Sequence, residues 1–113
     1  METNNVVLLR GTLTNDPVVR PLASGNSVTQ IELSTEVDGR SVTVPVSVDG
    51  DTVTVVAGDT VVVAGYVRRR FFRAGGVTQS RTEVVAVDVV KTTRRRTVQR
   101  VVESVLDAIG RGG

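Results

Sequence analysis

The stretch Gly58–Val90, G-D-T-V-V-V-A-G-Y-V-R-R-R-F-F-R-A-G-G-V-T-Q-S-R-T-E-V-V-A-V-D-V-V, limits the folds open to this chain more than any other. It reads as two long strands joined at a glycine-containing tip. Side chains alternate between the two faces of a strand, so parity sorts the residues. In Thr60 to Phe72, Val61, Val63, Gly65, Val67, Arg69 and Phe71 share one face. Val62, Ala64, Tyr66, Arg68, Arg70 and Phe72 share the other. Arg73-Ala74-Gly75-Gly76 forms the tip, and Val77 to Val90 returns, with Val85, Val87 and Val89 alternating against Val84, Ala86, Asp88 and Val90. All three aromatic rings of the chain, Tyr66, Phe71 and Phe72, lie in this stretch.

The rest of the sequence extends the same reading. Valine fills 27 of the 113 positions, and β-branched residues favour pleated, half-buried backbone. Val6 to Leu13 is a strand candidate, ended by Thr14-Asn15-Asp16-Pro17, since proline cannot donate to a ladder. Pro21 and Ser24-Gly25-Asn26-Ser27 keep the following segment irregular. Val28 to Thr35 alternates, with Ile31 and Leu33 opposite Gln30 and Glu32. Val37-Asp38-Gly39-Arg40 carries the Asp-Gly pair of a tight hairpin, leading into Ser41 to Val48, where Val42, Val44, Val46 and Val48 share a face. Thr52 to Val56 reads equally as a short strand or a loop. From Thr97 to Ile109 the period changes. Val98, Val101, Val102, Val105, Leu106 and Ile109 line one side of an amphipathic helix, and Gly110 suits its end.

One domain is the expectation for this length. The chain contains no Cys and no His, which removes disulfides, thiol and histidine chemistry and the usual zinc sites. No paired carboxylate or nucleophile–base arrangement stands out, so no catalytic residue, metal ligand or cofactor is expected. No apolar run is long enough to span a membrane. The opening Met1-Glu2-Thr3-Asn4-Asn5 lacks the basic head and apolar stretch of a signal peptide, and a cytoplasmic location is expected.

The net charge of +2 conceals a division. Ser27 to Asp59 holds six acids and one base, whereas Thr60 to Arg100 holds ten bases and two acids. Nearly all the bases are arginine, whose planar fork pairs with phosphate and stacks on nucleobases. Such segregation points to a polyanionic partner, with a merely solvated basic face as the plainer reading.

Five strands, a long basic hairpin and this length describe an oligonucleotide/oligosaccharide-binding (OB) barrel. The residues also resemble bacterial single-stranded DNA-binding proteins. Gly11, Leu13, Asp16, Pro17 and Arg20 match that family's opening strand and turn. The match continues through Ser24-Gly25 and Ile31, Leu33 and Thr35. It resumes at Gly58-Asp59, at Val61, Val63, Gly65, Val67, Arg70 and Phe72, and at Arg81-Thr82-Glu83-Val84. The primosomal replication protein of the same fold is a second match. The sequence departs from the family in three ways. No tryptophan opens the third strand, no helix follows it, and an amphipathic helix stands where an acidic tail would be. Tail-mediated recruitment of repair enzymes is therefore not expected.

The resemblance implies an all-β, five-stranded OB barrel over residues 1–91, followed by a basic linker and C-terminal helix over 92–113. It implies sequence-independent binding of single-stranded DNA, with RNA left open, in replication, repair or recombination at the nucleoid. It also implies self-association as a dimer or tetramer, with no membrane role. The candidate binding residues are Tyr66, Arg68, Arg70 and Phe72 on one strand face, Arg73 and Arg81 flanking the tip, and Arg94, Arg95 and Arg96 before the helix. Phe72 falls where the family stacks a base, and Phe71 is the better candidate for core packing. Asp16 and Arg20 are expected to fix a turn. The helix is expected either to join an oligomer interface or to plug the barrel's open end. The competing reading is an OB adaptor or assembly module, primosome-like or virus-encoded, that binds proteins rather than DNA.

Overall fold

The structure, a computed structural model, describes residues 3–110. Its elements run β1 (Val7–Leu13), β2 (Val18–Pro21), β3 (Ser27–Val37), β4 (Arg40–Asp49), β5 (Thr60–Ala74), β6 (Val77–Lys91) and α1 (Arg95–Gly110). The sheet order is β1-β5-β6-β4-β3-β2, and a further β1–β3 pairing closes it. Five strands thus form a barrel, with β4 and β6 as its parallel pair. The expected five-stranded OB barrel with a C-terminal helix is the observed architecture. β2 lies outside the closure as a short edge strand on β3, pairing Val18 with Gln30 and Pro21 with Ser27. The irregular segment expected after Pro17 is therefore partly a strand. Prolines at both ends keep it short, since a strand edge tolerates a missing N–H that an interior ladder does not.

Alternation builds the core. Leu13, Ile31, Leu33, Val46, Val61, Val63, Val84 and Ala86 point inward from successive strands and are buried together. The segment between β4 and β5 is a loop rather than a strand, and it inserts Val55 into the same cluster. Two carboxylates hold this loop. Asp16 Oδ1 accepts the Ala57 N–H at 2.8 Å, and Asp59 Oδ2 accepts the Val56 N–H at 3.0 Å. Asp16 thus has a structural role, as expected, but it holds the distant β4–β5 loop rather than only its own turn.

The β5–β6 hairpin is in register Val61↔Lys91 through Ala64↔Asp88, then shifts to Gly65↔Ala86. Val87 is skipped, forming a bulge on β6, and is 72% exposed. The simple alternation read for β6 breaks here, because an extra residue on one strand resets its facing. Gly65 is needed at the shift, since a Cβ there would lie 1.8 Å from the Val85 carbonyl oxygen. At the tip, Gly75 and Gly76 adopt φ of 58° and 80°, the left-handed conformation of a two-residue turn that suits twisted strands.

The opposite face of β5 holds Val62 and Ala64, and with Val90 they form a second apolar layer under Val101 and Val105 of α1. The helix therefore packs on the outer wall of the barrel. It does not plug the open end, which corrects that alternative. Thr92 joins β6 to the helix through its N–H and Oγ1, both donating to the Thr60 carbonyl at 3.0 and 3.2 Å. Leu106 and Ile109 remain exposed.

Candidate nucleic-acid interface

Beyond the barrel, β5 and β6 continue as a two-stranded arm whose residues Phe71 to Ser80 are all exposed. The register sets Arg68 opposite Glu83, Arg70 opposite Arg81 and Phe72 opposite Gln79. These residues share one face with Tyr66. The other face carries Arg69 and Phe71, the Arg69 guanidinium carbon lying 6.0 Å from the ring centroid. Phe71 is 67% exposed, so it does not pack in the core. The arm carries it clear of the barrel, which corrects the expectation. Tyr66 and Phe72 are 39% and 42% exposed, leaving both rings within reach of a base.

An acid organises the arginines. Glu83 is 4% exposed, and a buried carboxylate needs a counter-charge. Arg68 Nη2 donates to Glu83 Oε2 at 3.0 Å, and Arg70 Nε lies 3.5 Å from the same oxygen. One oxygen thus tethers two guanidinium groups whose side chains remain 38% and 42% exposed. A guanidinium has five N–H donors, so each keeps donors for an outside anion. Arg81 Nη2 donates to Glu32 Oε1 on β3 at 3.4 Å, linking the arm to the wall.

Between the arm and the outer wall of β2 and β3 lies an open groove of about 400 Å³. Arg70, Phe72 and Arg81 line it from the arm. Arg20 and Gln30 line it from the wall, beside the apolar Leu22 and Val28. Arg20 Nε donates to Gln30 Oε1. Arg20 is thus a β2 side chain turned to the groove, rather than a turn-fixing residue. Neither Arg20 nor Gln30 was singled out from the sequence as a binding residue. The signal available was their place on alternating strand faces with Gln30 opposite the core residue Ile31.

Of the nine expected binding residues, the groove gathers Arg70, Phe72 and Arg81. Tyr66 and Arg68 lie on the same strand face, outside the groove lining. Arg73 Nη2 donates to the Gly76 carbonyl across the tip at 2.9 Å. Arg94, Arg95 and Arg96 are exposed beyond the opposite end of β6, and the structure does not bring them to the groove. Among the described residues, no cluster of three or more His, Cys, Asp or Glu could hold a metal ion.

In three dimensions the chain is similar to a Plasmodium falciparum SSB solved in complex with ssDNA. The TM-score is 0.67 at 17% identity, over 80% of this chain and 96% of that one. The two chains share the OB fold. Neither a protein-family model nor a curated protein matches the sequence. In this OB barrel, the arm and the β2–β3 wall define the candidate interface.

Proposed function

We propose that this protein binds single-stranded DNA without a chemical step, holding the strand in the groove between the β5–β6 arm and the β2–β3 wall. The observation that carries the reading is the convergence of Arg20, Arg70, Arg81 and the exposed Phe72 ring on one open groove. Guanidinium groups hold phosphates, and a ring stacks on any base, contributing about 1–3 kcal/mol per base. The OB likeness to an SSB seen with ssDNA supports the same assignment. Service in replication, repair or recombination, a cytoplasmic location and action as a dimer or tetramer belong to this proposal.

Fluorescence polarisation of labelled oligo-dT, with poly-U and duplex DNA as competitors, tests it. Binding that poly-U competes for and duplex does not is expected for single-strand recognition. Phe72→Ala is expected to weaken oligo-dT binding by about 5- to 150-fold, the loss of one stacked base. Failure of the wild-type protein to bind oligo-dT at low salt would overturn the proposal.

The adaptor reading retains one supporting observation. Arg68, Arg70 and Arg81 already face internal carboxylates, which reduces the charge presented to DNA. Weak oligo-dT binding that salt abolishes and that neither Tyr66→Ala nor Phe72→Ala changes would favour that reading, since only non-specific charge attraction would then remain.

A further inference from the structure

The arm has a second side that the groove does not use. Arg69, Phe71 and Arg73 share the face of β5 opposite to Arg70 and Phe72, and none of them lines the groove. The register sets Thr82, Ser80 and Thr78 across from them. This face therefore presents two guanidinium groups and a ring beside short hydroxyl side chains, all of them exposed. A strand rises about 3.3 Å per residue, which puts the two arginines about 13 Å apart with the ring midway.

The two faces differ in how their charge is balanced. On the groove face, Arg68, Arg70 and Arg81 each meet a carboxylate. The ladder places no acid on the outward face. Among the described residues, neither Arg69 nor Arg73 forms an ion pair. Arg73 gives one N–H to the Gly76 carbonyl, and a guanidinium has five. The Arg69 guanidinium carbon lies 6.0 Å from the Phe71 ring centroid, a cation–π distance that steadies the ring. Phe71 is still 67% exposed, so most of the ring is open to a base.

Unpaired guanidinium groups on either side of an exposed ring fit a partner that alternates anions with flat rings. A single-stranded polynucleotide has that chemistry, its phosphates meeting arginine and its bases stacking on the ring. A poly-acidic peptide matches the charge alone. We propose that the outward face of the arm is a second single-strand site, with Phe71 as the stacking ring and Arg69 and Arg73 as the phosphate contacts. The proposal rests on the single-strand reading above and gives the arm a strand segment on each side. With two arginines against the groove's three, this site fills at higher oligonucleotide concentration.

The chain contains no tryptophan, so Phe71→Trp and Phe72→Trp each give one indole that reports on one face. A short oligo-dT is expected to quench both, Phe72→Trp first and Phe71→Trp at higher concentration, with a second oligonucleotide bound per protomer at saturation. For the Phe71→Trp signal, the slope of log K against log salt is expected to be about −1.4, from about −0.7 per phosphate. Adding Arg69→Gln is expected to bring this slope to about −0.7. The same change leaves the Phe72→Trp signal where it was. Unchanged Phe71→Trp emission while Phe72→Trp is quenched overturns the second site and leaves groove binding standing. Poly-glutamate competing as well as oligo-dT at Phe71→Trp overturns the polynucleotide assignment. Phe71→Trp emission that shifts with protein concentration alone places another copy of the chain on this face and also overturns it. Quenching of neither variant overturns the underlying single-strand reading.

Discussion

Glu83 and Glu32 do different work at the level of single residues. Glu83 is sealed beneath Arg68 and Arg70, so removing its charge leaves two guanidinium groups without their anchor. Glu83→Ala is expected to lower stability by about 1–3 kcal/mol, read as a shift in the urea midpoint. Glu32 is 43% exposed at its side chain and holds Arg81 from the wall. An exposed pair of this kind contributes about 0.2–1 kcal/mol. Glu32→Gln is therefore expected to leave stability nearly unchanged while releasing Arg81, and to tighten oligo-dT binding by up to about 5-fold. A fall in affinity would show that Arg81 needs Glu32 to hold it in place. The acidic partners were not legible in the sequence, because Arg68 meets Glu83 only through the hairpin register and Arg81 meets Glu32 only through barrel closure.

At the scale of elements, local signals carried furthest. Strict alternation in β3 and β4, the Asp38-Gly39 turn and the switch to helical spacing after Thr97 each reflect short-range chemistry, and each is present in the fold. The bulge at Val87 was not legible, because nothing in β6 itself marks where its partner strand falls out of step. The mark lies across the ladder at Gly65, where any side chain meets the Val85 carbonyl. Gly65→Ala forces backbone to move, so a loss of about 1–3 kcal/mol or more is expected, measured by thermal or urea unfolding. Retained stability would show that the β5–β6 crossing is looser than drawn. Arg20 and Gln30 escaped the sequence reading for a related reason, since they meet the arm only once the barrel has closed.

For the molecule as a whole, the charge map and the groove make different demands on a bound strand. Contact with the three groove arginines alone gives a slope of log K against log salt of about −2, from about −0.7 per phosphate on a single strand. A strand wrapped over most of the basic half would give a much steeper slope. The shallower slope is expected in a NaCl titration, because Arg94, Arg95 and Arg96 stand away from the groove. The helix sets a second whole-molecule property. It covers Val62, Ala64 and Val90, so a chain truncated after Lys91 exposes an apolar patch and is expected to melt at a lower temperature. Sedimentation of the same truncation reads the oligomer, and loss of self-association would assign the exposed Leu106 and Ile109 to a subunit contact.

The skipped residue in β6 also has a mechanical consequence. The base of the hairpin keeps step with the barrel and its upper part keeps step with itself, one count apart. The two-residue tip needs only that the upper ladder stay paired. Residues can therefore be added to or taken from the arm in opposed pairs, four at a time to preserve facing, without moving Val61 or Val63 in the interior. Arm length is thus a dimension that can change independently of the barrel, and with it how far a protein of this shape reaches over what it holds.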